Sequence, residues 1–330
     1  MSSAASPRAE ARTVVVIVAL VQFVIAGWFS WSASHAAPRD LPLVVVAGQG
    51  AQGLTDRLHE AAPGAYEATS ADSLDEADQA LRDRKAYGAL LATPGGLELH
   101  LASAASPAVA QTLTEQARAL AGTDRLRVTD VVPADPDDPH GTGLAMGFLP
   151  LLITAVIAGL LLVLKVRDVG AKLLGVIGFA VASGLLGSLM LTQLSGVLPG
   201  TYLVNAGTIA LLELGMVGVI TGLGSLIGPP GIALGAVLMF VVGNPLSGLS
   251  SAPEMLPQPL GALGQFLPAG AAATLLRSAG PFDGAGAGGP VLVLVVWAVL
   301  GLALLFAASR RKAAATAPEP AAEPVPAAAH

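Results

Sequence analysis

Residues 243–290 read GNPLSGLSSAPEMLPQPLGALGQFLPAGAAATLLRSAGPFDGAGAGGP, and this stretch decides how the rest of the chain is read. It interrupts a strongly apolar C-terminal region with helix-breaking Gly and Pro, yet it is nearly uncharged. Non-helical backbone at membrane depth survives only where protein or a water-filled cavity covers it. A breaker segment between two apolar segments therefore predicts a re-entrant insertion of the transporter kind. From Pro259 to Ser278 the chain is apolar again with Arg277 as its single charge. That suits short helices that dip into one leaflet, either as a lid over a cavity or as a plug in a bundle. Pro245, Gln265, Pro268 and Arg277 are the candidate lid residues.

Working outward, the whole chain fits an integral membrane protein. Of its 330 residues 53% are hydrophobic and 12% charged, with a mean hydropathy of +0.68, far more apolar than a soluble protein of this size. Thr13–Ser32 has the roughly 20 apolar residues that a bilayer core requires, with Trp28 and Trp31 placed for an interfacial belt. Arg8, Arg12 and the small residues around His35 leave a cleaved signal peptide as the alternative, although the apolar run exceeds the usual length. Further apolar segments at Leu144–Leu164, Leu173–Leu194, Leu203–Ile227, Ile232–Val242 and Val291–Ala308 predict six spans in all. The fifth is too short to cross alone. Arg8, Arg12, Lys165, Arg167, Lys172, Arg310, Arg311 and Lys312 fall on one side, against Arg39 and Arg277 near the other. The positive-inside bias then predicts both termini in the cytoplasm and a multi-pass protein of the cytoplasmic membrane. By this division residues 1–12 are a cytoplasmic N-terminus, 13–32 the first span, 33–141 an extracytoplasmic domain and 142–308 the remaining spans with the re-entrant region. Residues 309–330, rich in Ala, Pro and Glu, read as a disordered cytoplasmic tail.

The extracytoplasmic region alternates strand and helix patterns. Strands are predicted at Leu43–Ala47, Ala65–Thr69, Ala86–Ala92, Leu97–Ala102 and Arg125–Val132, and helices at Gln52–Ala61, Ser73–Lys85 and Pro107–Ala121. The order βαβαββαβ describes a compact α/β domain inserted between the first two spans. Alternation in Leu97-Glu98-Leu99-His100-Leu101 signals an antiparallel strand, and Ser73 followed by Glu76 is a capping box. The net charge of −6 is concentrated here, with 8 basic and 16 acidic residues between Arg39 and Asp138.

Several chemistries lack their residues. No GxxxxGK[ST] loop occurs, so ATP binding would need a separate subunit. GxSxG is missing, the five histidines lack ligand spacing and there is no cysteine, so neither an enzyme, a metal site nor a cofactor is predicted. A basic stripe interleaved with aromatics is also missing, which argues against nucleic acid. Asp72, Asp75, Glu76 and Asp78 suit a helix N-terminus. Asp135, Asp137, Asp138 and His140 offer either an oxygen-rich cation pocket or, given the alternating prolines, a rigid hinge. Glu213 is the only carboxylate in the middle of a span, where a charge costs at least about 2.5–3.5 kcal/mol. Either it handles substrate or protons, or it makes a structural hydrogen bond. With Asn205, Thr208 and Asn244 it forms the candidate translocation path, and Gln193 lies on a neighbouring span. Ala180, Gly184 and Ser188, then Gly218 and Gly222, and Gly224 and Gly228, are spaced four apart for close helix packing within the subunit, or else for a homodimer.

Ala77–Leu120 is similar to a stretch of the phage infection protein family in which an acidic helix leads into a Tyr-Gly-Ala strand. Asp138-Pro139-His140-Gly141 resembles that family's Asp-Pro-Arg-Gly turn, with His140 in the place of arginine. Gly264–Ala271 and Leu275–Ser278 resemble its Gly-Gln-x-Leu-Pro and Leu-Arg-Ser pieces. The likeness runs over nearly the whole chain except the tail, and it extends to permease subunits of type-2 ATP-binding-cassette exporters. It implies six spans, a large outer domain, dimerisation, and export of a hydrophobic or amphiphilic compound driven by a cytosolic ATPase. Lys165–Lys172 departs from that pattern, being too short for a well-formed coupling helix. A non-transporting envelope scaffold that binds other proteins is the alternative expectation.

Overall fold

The computed structural model describes residues 7–48, 50–122 and 125–316. Among the described residues, five helices are long and apolar enough to cross a membrane: α1 (Pro7–Ser34), α5 (Thr142–Lys165), α6 (Val169–Ser188, extended by a π-helical turn over Leu189–Leu194), α7 (Tyr202–Ile227) and α11 (Gly288–Thr316). Where six spans are expected, the described residues hold five helices of that length and one shorter apolar element. That short element is α8 (Pro229–Ala236), continued by a π-helical turn over Val237–Val242. At 1.5 Å per residue it reaches about 21 Å, less than a hydrocarbon core of roughly 30 Å. α11 runs on to Thr316, past the end expected for the last span; the expected tail beyond it, like residues 1–6, lies outside the described residues.

α7 is the axis of the bundle, packed by α5, α6, α8, α11 and the later helix α10 (Pro268–Ala279). Two thirds of its apolar window is buried, whereas none of that of α1 is. Small residues make this possible. A Cβ on Gly301 of α11 would fall 2.8 Å from the backbone carbon of Gly218 in α7, so the two helices meet backbone to backbone. Ala180, Gly184 and Ser188 of α6 are likewise buried, with Gly184 against Ala206 and Ala210 of α7 and Ser188 bonded to the Tyr202 carbonyl. These stripes pack within the chain. α1 stays outside the bundle, held near its end by the Trp28 Nε1 donating to the Val241 carbonyl at 2.9 Å and by the Phe29 and Phe240 rings.

The strands of the inserted domain are β1 (Leu41–Val46), β2 (Tyr66–Ala71), β3 (Gly88–Thr93), β4 (Gly96–Leu101) and β5 (Leu126–Asp130), interleaved with α2 (Ala51–Ala61), α3 (Leu74–Arg82) and α4 (Pro107–Ala121). They form one sheet in the order β2-β1-β3-β4-β5, parallel except for the β3–β4 hairpin. β1 is apolar along its length because helices cover both of its faces. Leu43 and Val45 pack with α2 and α4, while Val44 and Val46 pack with α3. The Ser73 hydroxyl accepts from the Glu76 amide at 3.2 Å, and the Glu76 carboxylate reaches back to the Asp72 amide at 2.8 Å. That satisfies two backbone donors at the start of α3.

Between α8 and α11 lie 3₁₀ turns at Pro245–Ser247 and Pro253–Met255, then α9 (Leu260–Gly264) and α10 (Pro268–Ala279). This segment joins the two halves of the molecule. Ala252 and Met255 enter the core on one face of the sheet, and Phe282 enters the core on the other. Gly264 allows the close approach, since a Cβ there would overlap the Leu246 carbonyl. At the far end of the bundle, Lys172 Nζ donates to Ser225 Oγ, Arg311 to the Leu226 carbonyl and Lys312 to the Arg167 carbonyl. The basic residues near the α5–α6 turn and the end of α11 therefore gather at the end opposite the sheet.

Candidate functional site

A cavity of about 950 Å³ lies where the α/β domain meets the 253–293 segment. The domain contributes Arg39, Glu67, Arg84 and Tyr87, the connecting segment Glu254, Gln265, Phe266, Thr274 and Arg277, and α11 the side chains of Leu292 and Val293. α3 ends at Arg82, and Arg84 adopts a left-handed conformation with φ of 56°. This costs a non-glycine residue about 1–2 kcal/mol, but it turns the chain so that the guanidinium leaves the domain. Arg84 Nη1 donates to the Thr274 carbonyl at 2.9 Å and to Ser278 Oγ, and the guanidinium stacks over Phe282 at 5.2 Å. Burial pulls Arg84 below the ordinary guanidinium range, with Tyr87 and Glu254 opposing it.

The Tyr87 hydroxyl donates to Glu254 Oε2 at 2.8 Å. Burial, followed by the neighbouring carboxylate, pushes the phenol well above its ordinary value of 10.0. Of the four candidate lid residues, Gln265 and Arg277 line the cavity, whereas Pro245 starts a 3₁₀ turn and Pro268 starts α10. Gln265 Nε2 donates to the Ser247 carbonyl at 3.2 Å while its Oε1 accepts from Thr274 Oγ1 at 2.7 Å. Arg277 donates to the carbonyls of Gly248, Leu249 and Ser251. Together these bonds tie the 247–251 loop to Gln265 and to α10 beside the cavity. On the α11 side, Trp297 Nε1 donates to the Phe266 carbonyl at 2.7 Å.

The candidate path residues sit elsewhere. Asn205, Thr208 and Glu213 are all buried on α7, and neither they nor Asn244 line this cavity. Glu213 Oε1 accepts from Ser183 Oγ of α6 at 3.1 Å. Asn205 Nδ2 donates to Thr192 Oγ1 at 3.0 Å and to the Pro199 carbonyl at 3.1 Å. Thr208 bonds back to the Val204 carbonyl, and Asn244 is half-buried at the end of the short fifth helix. Glu213 lies eight positions after Asn205, about 12 Å along the helix, and the two have different hydrogen-bond partners. One feature does link them. Asn205 Oδ1, Glu213 Oε2 and Thr221 Oγ1 are buried without a hydrogen-bond partner among the described residues, all on α7. Unpaired buried polar atoms cost about 1–3 kcal/mol each.

Other expectations resolve locally. Asp138 accepts from the Gly143 and Leu144 amides at 2.9 and 2.8 Å and so caps α5, while Asp135 accepts from the Asp137 amide at 2.9 Å. The carboxylates of Asp135 and Asp138 are thus engaged by backbone amides, and no group of three metal-ligating side chains is placed together among the described residues. Asp78 contacts His100 Nδ1 at 2.6 Å, a pairing that nothing in the spacing of residues 78 and 100 announces. α5 and α6 are joined by only Val166, Arg167 and Asp168. No family model, curated protein or solved structure matches this chain.

Proposed function

We propose that this chain is a permease-like subunit, similar to those of type-2 ATP-binding-cassette exporters, that moves a hydrophobic or amphiphilic compound outward across the cytoplasmic membrane. The observation that carries this reading is the 950 Å³ cavity between the domain and α11, large enough for a drug-sized molecule and open to both polar and apolar walls. In this reading the α/β domain faces outward, the short fifth helix and the 243–290 segment form a sixth, broken span, and both termini are cytoplasmic. The clustered basic residues at the opposite end favour that orientation. Glu213, Asn205, Thr208 and Asn244 belong to a path that opens when α7 shifts. The unpaired polar atoms of α7 support this, because a second arrangement that satisfies them has a lower cost to overcome.

The three-residue α5–α6 turn favours a second reading, an envelope protein that binds partners through its outer domain without transport. It leaves no room for a coupling helix. The discriminating experiment is affinity purification from the native membrane combined with efflux of a fluorescent amphiphile from cells. A co-purifying nucleotide-binding subunit together with efflux that depends on this chain supports the permease. Partners of the α/β domain alone, with no efflux, support the scaffold.

A further inference from the structure

The cavity also indicates the chemistry of its occupant, an inference that rests on the proposed function for its place at the outer leaflet. Three guanidiniums reach the cavity, from Arg39, Arg84 and Arg277. Every hydrogen-bond acceptor they meet is neutral: backbone carbonyls for Arg39 and Arg277, a carbonyl and a serine hydroxyl for Arg84. None of the three makes an ion pair among the described residues. Glu254, the half-buried carboxylate of the lining, is held by the Tyr87 hydroxyl and supports the Arg84 charge from beyond hydrogen-bond range, whereas Asp40 and Glu67 are exposed.

Arg84 has further capacity. Its Nε and Nη2 have no hydrogen-bond partner among the described residues, so one edge of the planar fork is unbonded. Such a fork matches phosphate oxygens two at a time. The remaining wall has the opposite character. Phe266 is 67% exposed and Leu292 64% exposed, and Leu292 continues into the apolar face of α11, a helix fit to span the bilayer. A cavity of about 950 Å³ is far larger than an inorganic anion needs, and its apolar wall serves no such ion.

We propose that the cavity binds a phosphate-headed anionic amphiphile, its headgroup between Arg84 and Arg277 and its chain along Phe266 and Leu292. The guanidiniums supply the charge selectivity, and the α11 face supplies the apolar surface that separates a lipid from free phosphate.

The test uses the full chain in nanodiscs of neutral phosphatidylcholine, with lysophosphatidic acid as the probe. Lysophosphatidic acid should bind at least tenfold more tightly than lysophosphatidylcholine, and millimolar inorganic phosphate should not displace it. Arg84→Gln with Arg277→Gln should remove that preference. Because those arginines also hold the surrounding segments together, Ala262→Trp provides an independent variant: it puts an indole into the cavity from its lining, alters none of the guanidiniums and should weaken binding at least tenfold. Equal binding of the two lipids, displacement by phosphate at the lipid's own concentration, or full binding by Ala262→Trp overturns the inference. Binding as predicted without efflux from cells would remove the exporter and keep the site. Efflux without binding would do the reverse.

Discussion

Arg84, just beyond the end of α3, donates a hydrogen bond across 2.9 Å to the carbonyl of Thr274 in α10, 190 residues further along the chain. Through this bond and its partner at Ser278 the α/β domain is fastened to the segment that interrupts the bundle. Hydrogen bonds from a charged donor contribute about 1.5–3 kcal/mol. Arg84→Ala should therefore lower stability by roughly 2 kcal/mol and expose the 131–140 linker to protease. Arg84→Lys should recover only part of this, because an ammonium lacks the planar fork. Thermal unfolding and limited proteolysis in detergent check both expectations.

Tyr87 gives the junction an alkaline limit. Its phenol is held above its ordinary value of 10.0, so between that value and the folded one the unfolded chain has lost a proton that the folded chain keeps. Stability then falls as pH rises. Unfolding midpoints should drop more steeply above pH 10 in the parent than in Tyr87→Phe. Parallel curves would show that the Tyr87–Glu254 contact does not bear on stability.

Close packing of α7 on α11 predicts a sharp contrast between glycines. A side chain on Gly301 meets the backbone of Gly218, which cannot yield without separating the helices. Gly301→Val should cost about 3 kcal/mol or more, at the upper end of overpacking penalties, seen as loss of monodisperse protein on gel filtration. Gly207→Ala on α7, where nothing lies within 4 Å, should not lower stability.

Glu213 separates a structural role from a transport role. Ser183→Ala removes one hydrogen bond between helices and should cost about 0.6 kcal/mol. Glu213→Gln keeps an acceptor for Ser183 and should fold normally, while efflux falls severalfold. Normal efflux at matched membrane abundance would leave Glu213 as nothing more than the partner of Ser183.

Local patterns in the chain were legible where the physics is local. Period-2 alternation in residues 97–101 marked the hairpin strand, Ser73 and Glu76 marked a helix start, and four-residue spacing of small side chains marked the faces of α6 and α7. The break at Gly243 followed from apolar length and helix breakers alone. What escaped were contacts between segments far apart in sequence. Met255 and Phe282 look like loop residues, yet each completes a sheet face. Arg84 lies in a stretch that reads as continuous helix, and only its left-handed backbone carries it into the cavity. Thr221 has an unpaired hydroxyl that no spacing reveals, because partner availability depends on the neighbouring helices. Polar residues in apolar segments, such as Asn205 and Glu213, signal burial without showing which groups converge.

The claim on which the account depends is that the α/β domain and its arginine cavity face outward while the basic end faces the cytosol. The chain contains no cysteine, so single cysteines can be introduced without background. Glu67→Cys, at the cavity rim, should react with a membrane-impermeant maleimide in intact spheroplasts, and Arg310→Cys should react only after lysis. The reverse pattern would place the cavity on the cytosolic side and contradict outward export.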